Sequence, residues 1–63
     1  MNVKRYLTKG YTPRSLLIAR VLLSLGIPET EGNKSRALQY IETAIKRGEI
    51  MQTGEVYHLP FKN

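Results

Sequence analysis

The clearest pattern along the chain is a stretch in which apolar residues recur at helical spacing before a glycine. Between residues 33 and 47 the apolar side chains fall within one arc at 3.6 residues per turn, and polar and basic side chains occupy the opposite arc. The apolar arc consists of Ala37, Leu38, Ile41, Ala44 and Ile45. We therefore predict an amphipathic helix over residues 33–47, with Asn33 as its N-cap and Gly48 as its stop.

An earlier helix is predicted over residues 12–25. Thr12 suits its N-cap, and Pro13 suits its first position, where the missing N–H costs nothing. Gly26 and Pro28 follow and prevent its continuation. This helix is apolar on almost every side, so it needs cover on almost every side. The preceding residues or a second copy of the chain would supply that cover, and a homodimer is one arrangement that the helix favours.

The residues after the second helix have the pattern of a β-hairpin. We predict strands over residues 49–52 and 55–59. The loop between them, Gln52–Gly54, suits a three-residue connection with Gly54 in the left-handed conformation. The hairpin as a whole is expected to span residues 49–59.

Length and composition indicate one small domain. The chain has 63 residues and no cysteine, so disulfides and thiolate metal sites cannot staple it. We predict a single α+β domain over residues 1–63, with two main helices followed by a β-hairpin and preceded by a basic arm at residues 1–11. No apolar run reaches the length of a membrane span, and no secretory leader is visible, so we expect a cytoplasmic protein with no membrane partner.

Charge is unevenly distributed along the chain. The formal net charge is +5, and residues 1–28 carry five cations and no acid, whereas residues 29–63 carry five of each. A segment that carries only positive charges, as residues 1–28 do, favours an anionic partner such as nucleic acid. Solubility alone is the other interpretation of this excess.

The polar arc of the second helix carries side chains that can read DNA bases. Arg36 suits guanine, Gln39 suits adenine and Thr43 suits the methyl group of thymine. A solvated helix face has a similar composition, and Glu42 would repel phosphate there unless it paired with Lys46. Exposed N–H groups at the helix start and the basic N-terminal region favour phosphate. The candidate phosphate-contacting residues are Lys4, Arg5, Lys9, Arg14, Asn33, Lys34, Ser35, Lys46 and Arg47.

Residues 33–59 resemble the recognition helix and wing of winged helix-turn-helix domains. In RALQYIETAIKRGEI, spaced aliphatic residues lead to a basic residue, a glycine and an aliphatic residue, and MQTGEVYHL suits the hairpin. The resemblance implies a recognition helix in the major groove. It also implies that the 12–25 helix is the family's first helix, with the intermediate helix reduced to the PETEG segment or absent. Glu55 stands where a basic wing tip is expected, which weighs against minor-groove contacts.

Catalysis and cofactor binding are not expected. The chain has no aspartate, no cysteine and a single histidine, His58, which we place at a solvent-facing strand position. One histidine with scattered glutamates makes neither a catalytic triad nor a metal cluster. No glycine-rich phosphate loop is present. We therefore predict a protein that is not an enzyme and has no cofactor, metal or small-molecule ligand.

The sequence favours a small sequence-reading DNA-binding protein, a transcriptional or accessory regulator whose partner is double-stranded DNA. Two other functions stay open. The apolar 12–25 helix would also suit a protein–protein interaction module. The basic arm would suit RNA or single-stranded nucleic acid if Tyr6 and Tyr11 stacked on bases, although packing over the first helix is the alternative role of both rings.

Overall fold

The computed structural model describes residues 2–7 and 10–60. Three helices occur in these residues: a short 3₁₀ helix, Val3–Tyr6, then α1 (Arg14–Leu25) and α2 (Glu31–Lys46). None of them is long and apolar enough to span a membrane. The 3₁₀ helix packs against both longer helices, which also pack against each other.

Three short strands form one antiparallel sheet in the order β1-β3-β2. They are β1 (Thr12–Pro13), β2 (Met51–Thr53) and β3 (Val56–His58). In the central strand, Tyr57 lies opposite Thr12. The predicted α+β class, with two main helices followed by a hairpin, is confirmed. The strand β1 just before α1 was not predicted.

The core lies where the two main helices meet the 3₁₀ helix and the sheet. Leu17 of α1 and Ile41 of α2 are fully buried, and Val3 is buried beside them. Val3 therefore supplies part of the cover that was expected from the residues before the first helix. The apolar arc predicted for the second helix is confirmed, because all five of its residues lie in this core or pack against it.

Helix α1 begins differently from the prediction. Thr12 is not its N-cap, because it is a fully buried strand residue opposite Tyr57. Pro13 occupies the N-cap position instead, in an extended conformation. The backbone N–H of Arg14 donates to the carbonyl oxygen of Glu55 at 3.0 Å. The hairpin thus supplies an acceptor for the first N–H of α1, which has no partner within the helix.

Both main helices end at the predicted glycines. Gly26 and Gly48 have φ values of 70° and 76°, a conformation that glycine adopts without strain. After α1, the N–H of Ile27 donates to the carbonyl oxygen of Leu22 at 3.2 Å, as in a Schellman motif. The same pattern of bonds follows α2. These two predictions are confirmed.

Helix α2 begins before the predicted residue. Its N-cap is Thr30, whose side chain accepts from the N–H of Asn33 at 3.2 Å. Asn33 therefore lies inside the first turn, and its Nδ2 donates to the carbonyl oxygen of Pro28 at 2.9 Å. The correction lengthens the helix at its start, and its last residue is Lys46 rather than Arg47. No separate helix occurs in the described connection Gly26–Thr30.

The hairpin is tighter than predicted. Thr53 pairs with Val56, so the connection contains two residues, Gly54 and Glu55. The three-residue loop is therefore wrong, because Gln52 and its neighbour belong to β2. Gly54 has a φ of 60°, as predicted, and a positive φ at the first loop position suits a tight hairpin turn.

Candidate nucleic-acid interface

The outward side of α2 carries the predicted base-reading residues. Arg36, Gln39 and Thr43 are exposed, and so is Lys46. The side chains of Arg36 and Gln39 make no hydrogen bond or ion pair with any described residue. Since α2 has 16 residues, it is about 24 Å long and places these side chains along several turns. Burial of the opposite arc in the core fixes which side of the helix faces outward.

Two cations lie near the start of α2. Arg14 and Lys34 line one cleft of about 210 Å³ between the beginnings of the two main helices. Glu29 lines the same cleft, and the Nζ of Lys34 lies 3.8 Å from a carboxylate oxygen of Glu31. The acids reduce the positive potential at this end, but Arg14 makes no ion pair with a described residue.

Arg14 is held by the sheet. Its Nε donates to the hydroxyl oxygen of Tyr57 at 3.1 Å. This hydrogen bond raises the pKa of the Arg14 guanidinium above its usual value, and the nearby carboxylates of Glu55 and Glu42 raise it further. An arginine side chain is in any case a cation at physiological pH. The exposed end of the guanidinium is therefore a charged group with a defined anchor.

Two more cations lie near the end of α2. Lys4 and Arg47 border one open depression, although they are far apart in sequence. Arg47 also lines a neighbouring cleft of about 210 Å³ with Thr43 and Tyr40. Its Nη1 lies 3.9 Å from a carboxylate oxygen of Glu49, a separation typical of a weak surface pair. The fold thus extends the polar face of α2 towards the N-terminal segment.

The remaining candidates are distributed around these two ends. Arg5 and Ser35 are exposed, whereas Asn33 and Lys34 are half-buried. Lys9 lies outside the described residues. Both the N–H and the side chain of Asn33 are used at the start of α2, so this residue contributes less to an interface than its predicted capping position implied.

Glu42 is an acid beside the interface. It is exposed, and it forms no ion pair with Lys46 or with any other described residue. The pairing that would have neutralised it is therefore not observed. An unpaired carboxylate at this position lowers the attraction of the helix for phosphate.

His58 is not at a solvent-facing position. It is 4% exposed, with Nδ1 2.9 Å from the carbonyl oxygen of Leu59 and Nε2 3.0 Å from Oγ1 of Thr53. The Tyr11 ring meets it edge-on, with ring centroids 5.0 Å apart. The prediction was wrong because strand alternation does not show that Tyr11, just before β1, approaches this face.

Sequence reasoning missed the roles of Tyr57 and Tyr40 at the interface. Tyr57 anchors Arg14 across 43 residues of sequence, and no local pattern encodes that pairing. Tyr40 is 36% exposed and lines the cleft beside Thr43. Helical spacing placed Tyr40 at the edge of the polar arc, which was the only signal.

No protein-family model matches this chain, and no significant similarity links it to a curated protein or to a solved structure. Function is therefore inferred from the geometry of the chain itself.

Proposed function

We propose that this chain is a small double-stranded DNA-binding protein, a transcriptional or accessory regulator of the cytoplasm that inserts α2 into the major groove. One observation carries the proposal: the exposed polar face of α2, from Arg36 to Lys46, has cations near both ends. A single helix fits the major groove, and Arg36 and Gln39 have the donors and acceptors that discriminate guanine and adenine.

The two groups of cations suit the phosphates on either side of a groove. Arg14 and Lys34 lie near the start of α2, and Lys4 and Arg47 lie near its end. Contacts of this kind position a helix without reading sequence, and they supply much of the affinity. Arg14 is suited to this role because Tyr57 restricts its orientation before DNA arrives.

The order of elements supports the resemblance to winged helix-turn-helix domains. That family has three helices before its hairpin, and the described residues also have three. In our proposal, α1 takes the place directly before the recognition helix, with Gly26–Thr30 as the connecting turn. The reduced helix is then the first one, Val3–Tyr6, and not an intermediate one.

The hairpin has no DNA contact in this proposal. Its two-residue connection is short, and Glu55 places a negative charge in it. A carboxylate at the tip would be repelled by the phosphates that border a minor groove. Affinity is therefore assigned to α2 and to the cations near its ends.

A second copy of the chain is part of the proposal. One recognition helix reads only about three to five base pairs, so a specific site needs two copies or a larger complex. Leu16 and Leu23 are 40% and 81% exposed on the side of α1 that faces away from the core. They are seven residues apart with Ala19 between them, so two antiparallel α1 helices would place each Leu16 against a Leu23.

The exposed Leu23 also favours a second candidate function, a protein–protein interaction module that docks through α1. The two functions differ in what α2 does. DNA binding requires its polar face, whereas docking through α1 does not.

The decisive experiment measures binding of labelled random duplex DNA, and of single-stranded RNA of equal length, between about 50 and 200 mM salt. We expect tighter binding to the duplex, with affinity falling steeply as salt rises. The triple variant Arg36→Ala, Gln39→Ala, Lys46→Ala is expected to lose most of this affinity.

The matched control lowers the net charge by the same two units at two exposed positions, through Gln52→Glu in β2 and Leu59→Glu just after β3. It is expected to retain most of the binding, because the α2 face is intact. Absence of duplex binding at low salt, or equal losses in the triple variant and the control, would overturn the proposal. Tighter binding to RNA would favour the single-strand alternative.

A further inference from the structure

Thr43 differs from the other polar residues of the α2 face because its hydroxyl is already used. Its Oγ1 donates to the carbonyl oxygen of Gln39, one turn earlier, at 2.9 Å. The side chain as a whole is still exposed. With the hydroxyl proton committed to the backbone, the hydroxyl cannot donate to a ligand, and the methyl group is the branch of Thr43 that remains for an apolar contact.

Thr43 lines a cleft of mixed character. The cleft measures about 210 Å³, and its other lining residues are Tyr40, Ala44, Arg47 and Glu49. Arg36 and Gln39, earlier on the same face, keep polar side chains without partners among the described residues. The face therefore presents the polar side chains of Arg36 and Gln39 in its first half, and the Thr43 side chain followed by the Lys46 cation in its second half.

We propose that Thr43 senses the C5-methyl group of a thymine in the major groove, so that the preferred ligand is thymine-containing duplex DNA. This inference rests on the proposed function. Thymine alone among the four DNA bases places a methyl group in the major groove. Uracil lacks this group, so the contact also discriminates DNA from RNA.

The test uses a preferred site selected from random duplex DNA by the native protein. Each thymine of that site is replaced in turn by deoxyuridine, which removes the methyl group and keeps every hydrogen-bonding atom. Affinities are measured by fluorescence anisotropy for the native chain, for Thr43→Ser and for Thr43→Val. Serine keeps the hydroxyl and loses the methyl group, whereas valine does the reverse.

For the native chain we expect that replacing thymine by deoxyuridine lowers the affinity at one position in each half-site. Deoxyuridine at that position should weaken binding about fourfold, the factor that corresponds to one methyl group in a buried contact. Thr43→Val should keep the sensitivity, whereas Thr43→Ser should bind thymine and deoxyuridine sites equally. Because Thr43 is exposed, both variants are expected to fold, which thermal unfolding checks.

Two outcomes would overturn this inference while the proposed function stands. One is duplex binding by the native chain that is indifferent to every deoxyuridine. The other is sensitivity that survives in Thr43→Ser and disappears in Thr43→Val, which would assign the contact to the hydroxyl. Failure of the native chain to bind any duplex would overturn the inference and the proposed function together.

Discussion

Arg14 donates a hydrogen bond from Nε to the hydroxyl oxygen of Tyr57 at 3.1 Å, which ties an exposed cation at the start of α1 to the buried centre of the sheet. Tyr57 is 2% exposed and belongs to the middle strand of three. Because the ring is buried, it holds the hydroxyl that accepts from Arg14 in a fixed position. The orientation of the Arg14 guanidinium therefore depends on a strand residue that lies 43 positions later in the chain.

Tyr57→Phe should weaken binding to duplex DNA by about two- to tenfold. Without the Tyr57 hydroxyl, the Arg14 side chain would be mobile in the free protein, and ordering it on binding would cost entropy. The slope of affinity against salt should stay unchanged, since no charge is removed. Anisotropy across a salt series measures both quantities.

The control for this substitution is Tyr11→Phe, which removes a hydroxyl from a ring that is 57% exposed. It should leave affinity unchanged. Equal losses of affinity in the two variants would show that the hydrogen bond from Arg14 to Tyr57 does not contribute to DNA binding.

Glu42→Gln should strengthen duplex binding, because it removes an unpaired carboxylate beside the α2 face. The gain should be largest at low salt and should shrink as screening increases. Leu59→Lys raises the net charge by the same one unit at an exposed position outside α2 and the cations near its ends. A gain of equal size there would mean that net charge, and not the position of Glu42, controls affinity.

Leu23→Lys should weaken self-association at least about tenfold, because a leucine that is 81% exposed in one copy would lose its buried contact in the dimer. Sedimentation equilibrium over a range of protein concentrations measures this change. Leu59→Lys alters another exposed leucine away from α1 and should leave the association state as it is. A native chain that stays monomeric at all concentrations would contradict the proposed use of α1.

Thr30→Ala should lower the free energy of unfolding by about 1 kcal/mol, because it removes the side chain that caps α2. Urea unfolding followed by circular dichroism measures the change. Ser35→Ala alters an exposed hydroxyl inside the same helix and should have an effect within about 0.5 kcal/mol. If the two variants were equally stable, the cap at Thr30 would contribute nothing.

Elements with strong local signals were predicted closely. The glycines at 26 and 48 end the helices because a left-handed residue without a Cβ is the easiest way to leave a helix, and that property belongs to the residue itself. The buried arc of α2 was predicted for a similar reason, since helical spacing places those five residues on one side.

Helix starts were predicted less well. Several residues can cap a helix, so Thr12 and Asn33 were plausible caps from sequence alone. Thr12 instead pairs with Tyr57, and Thr30 caps α2. The choice at α1 is made by the hairpin, which provides the carbonyl oxygen of Glu55 to the first N–H of the helix.

The candidate interface also contains some features that follow from local sequence and others that depend on tertiary contacts. The residues of its central face, including Gln39 and Thr43, follow from helical periodicity. Its two ends do not, because Lys4 and Arg47 border one depression, and Arg14 reaches Tyr57, only after distant segments pack together.

The sequence by itself thus determined the two helical segments, their glycine ends, the hairpin and the side of α2 that faces outward, since each depends on spacing or on the conformational freedom of one residue type. Only the tertiary structure decided that β1 precedes α1, that His58 is buried, and that cations from separate segments gather at the ends of α2. These features depend on contacts between residues far apart in the chain, and the cost of closing the intervening loops is recovered only by packing of the whole domain.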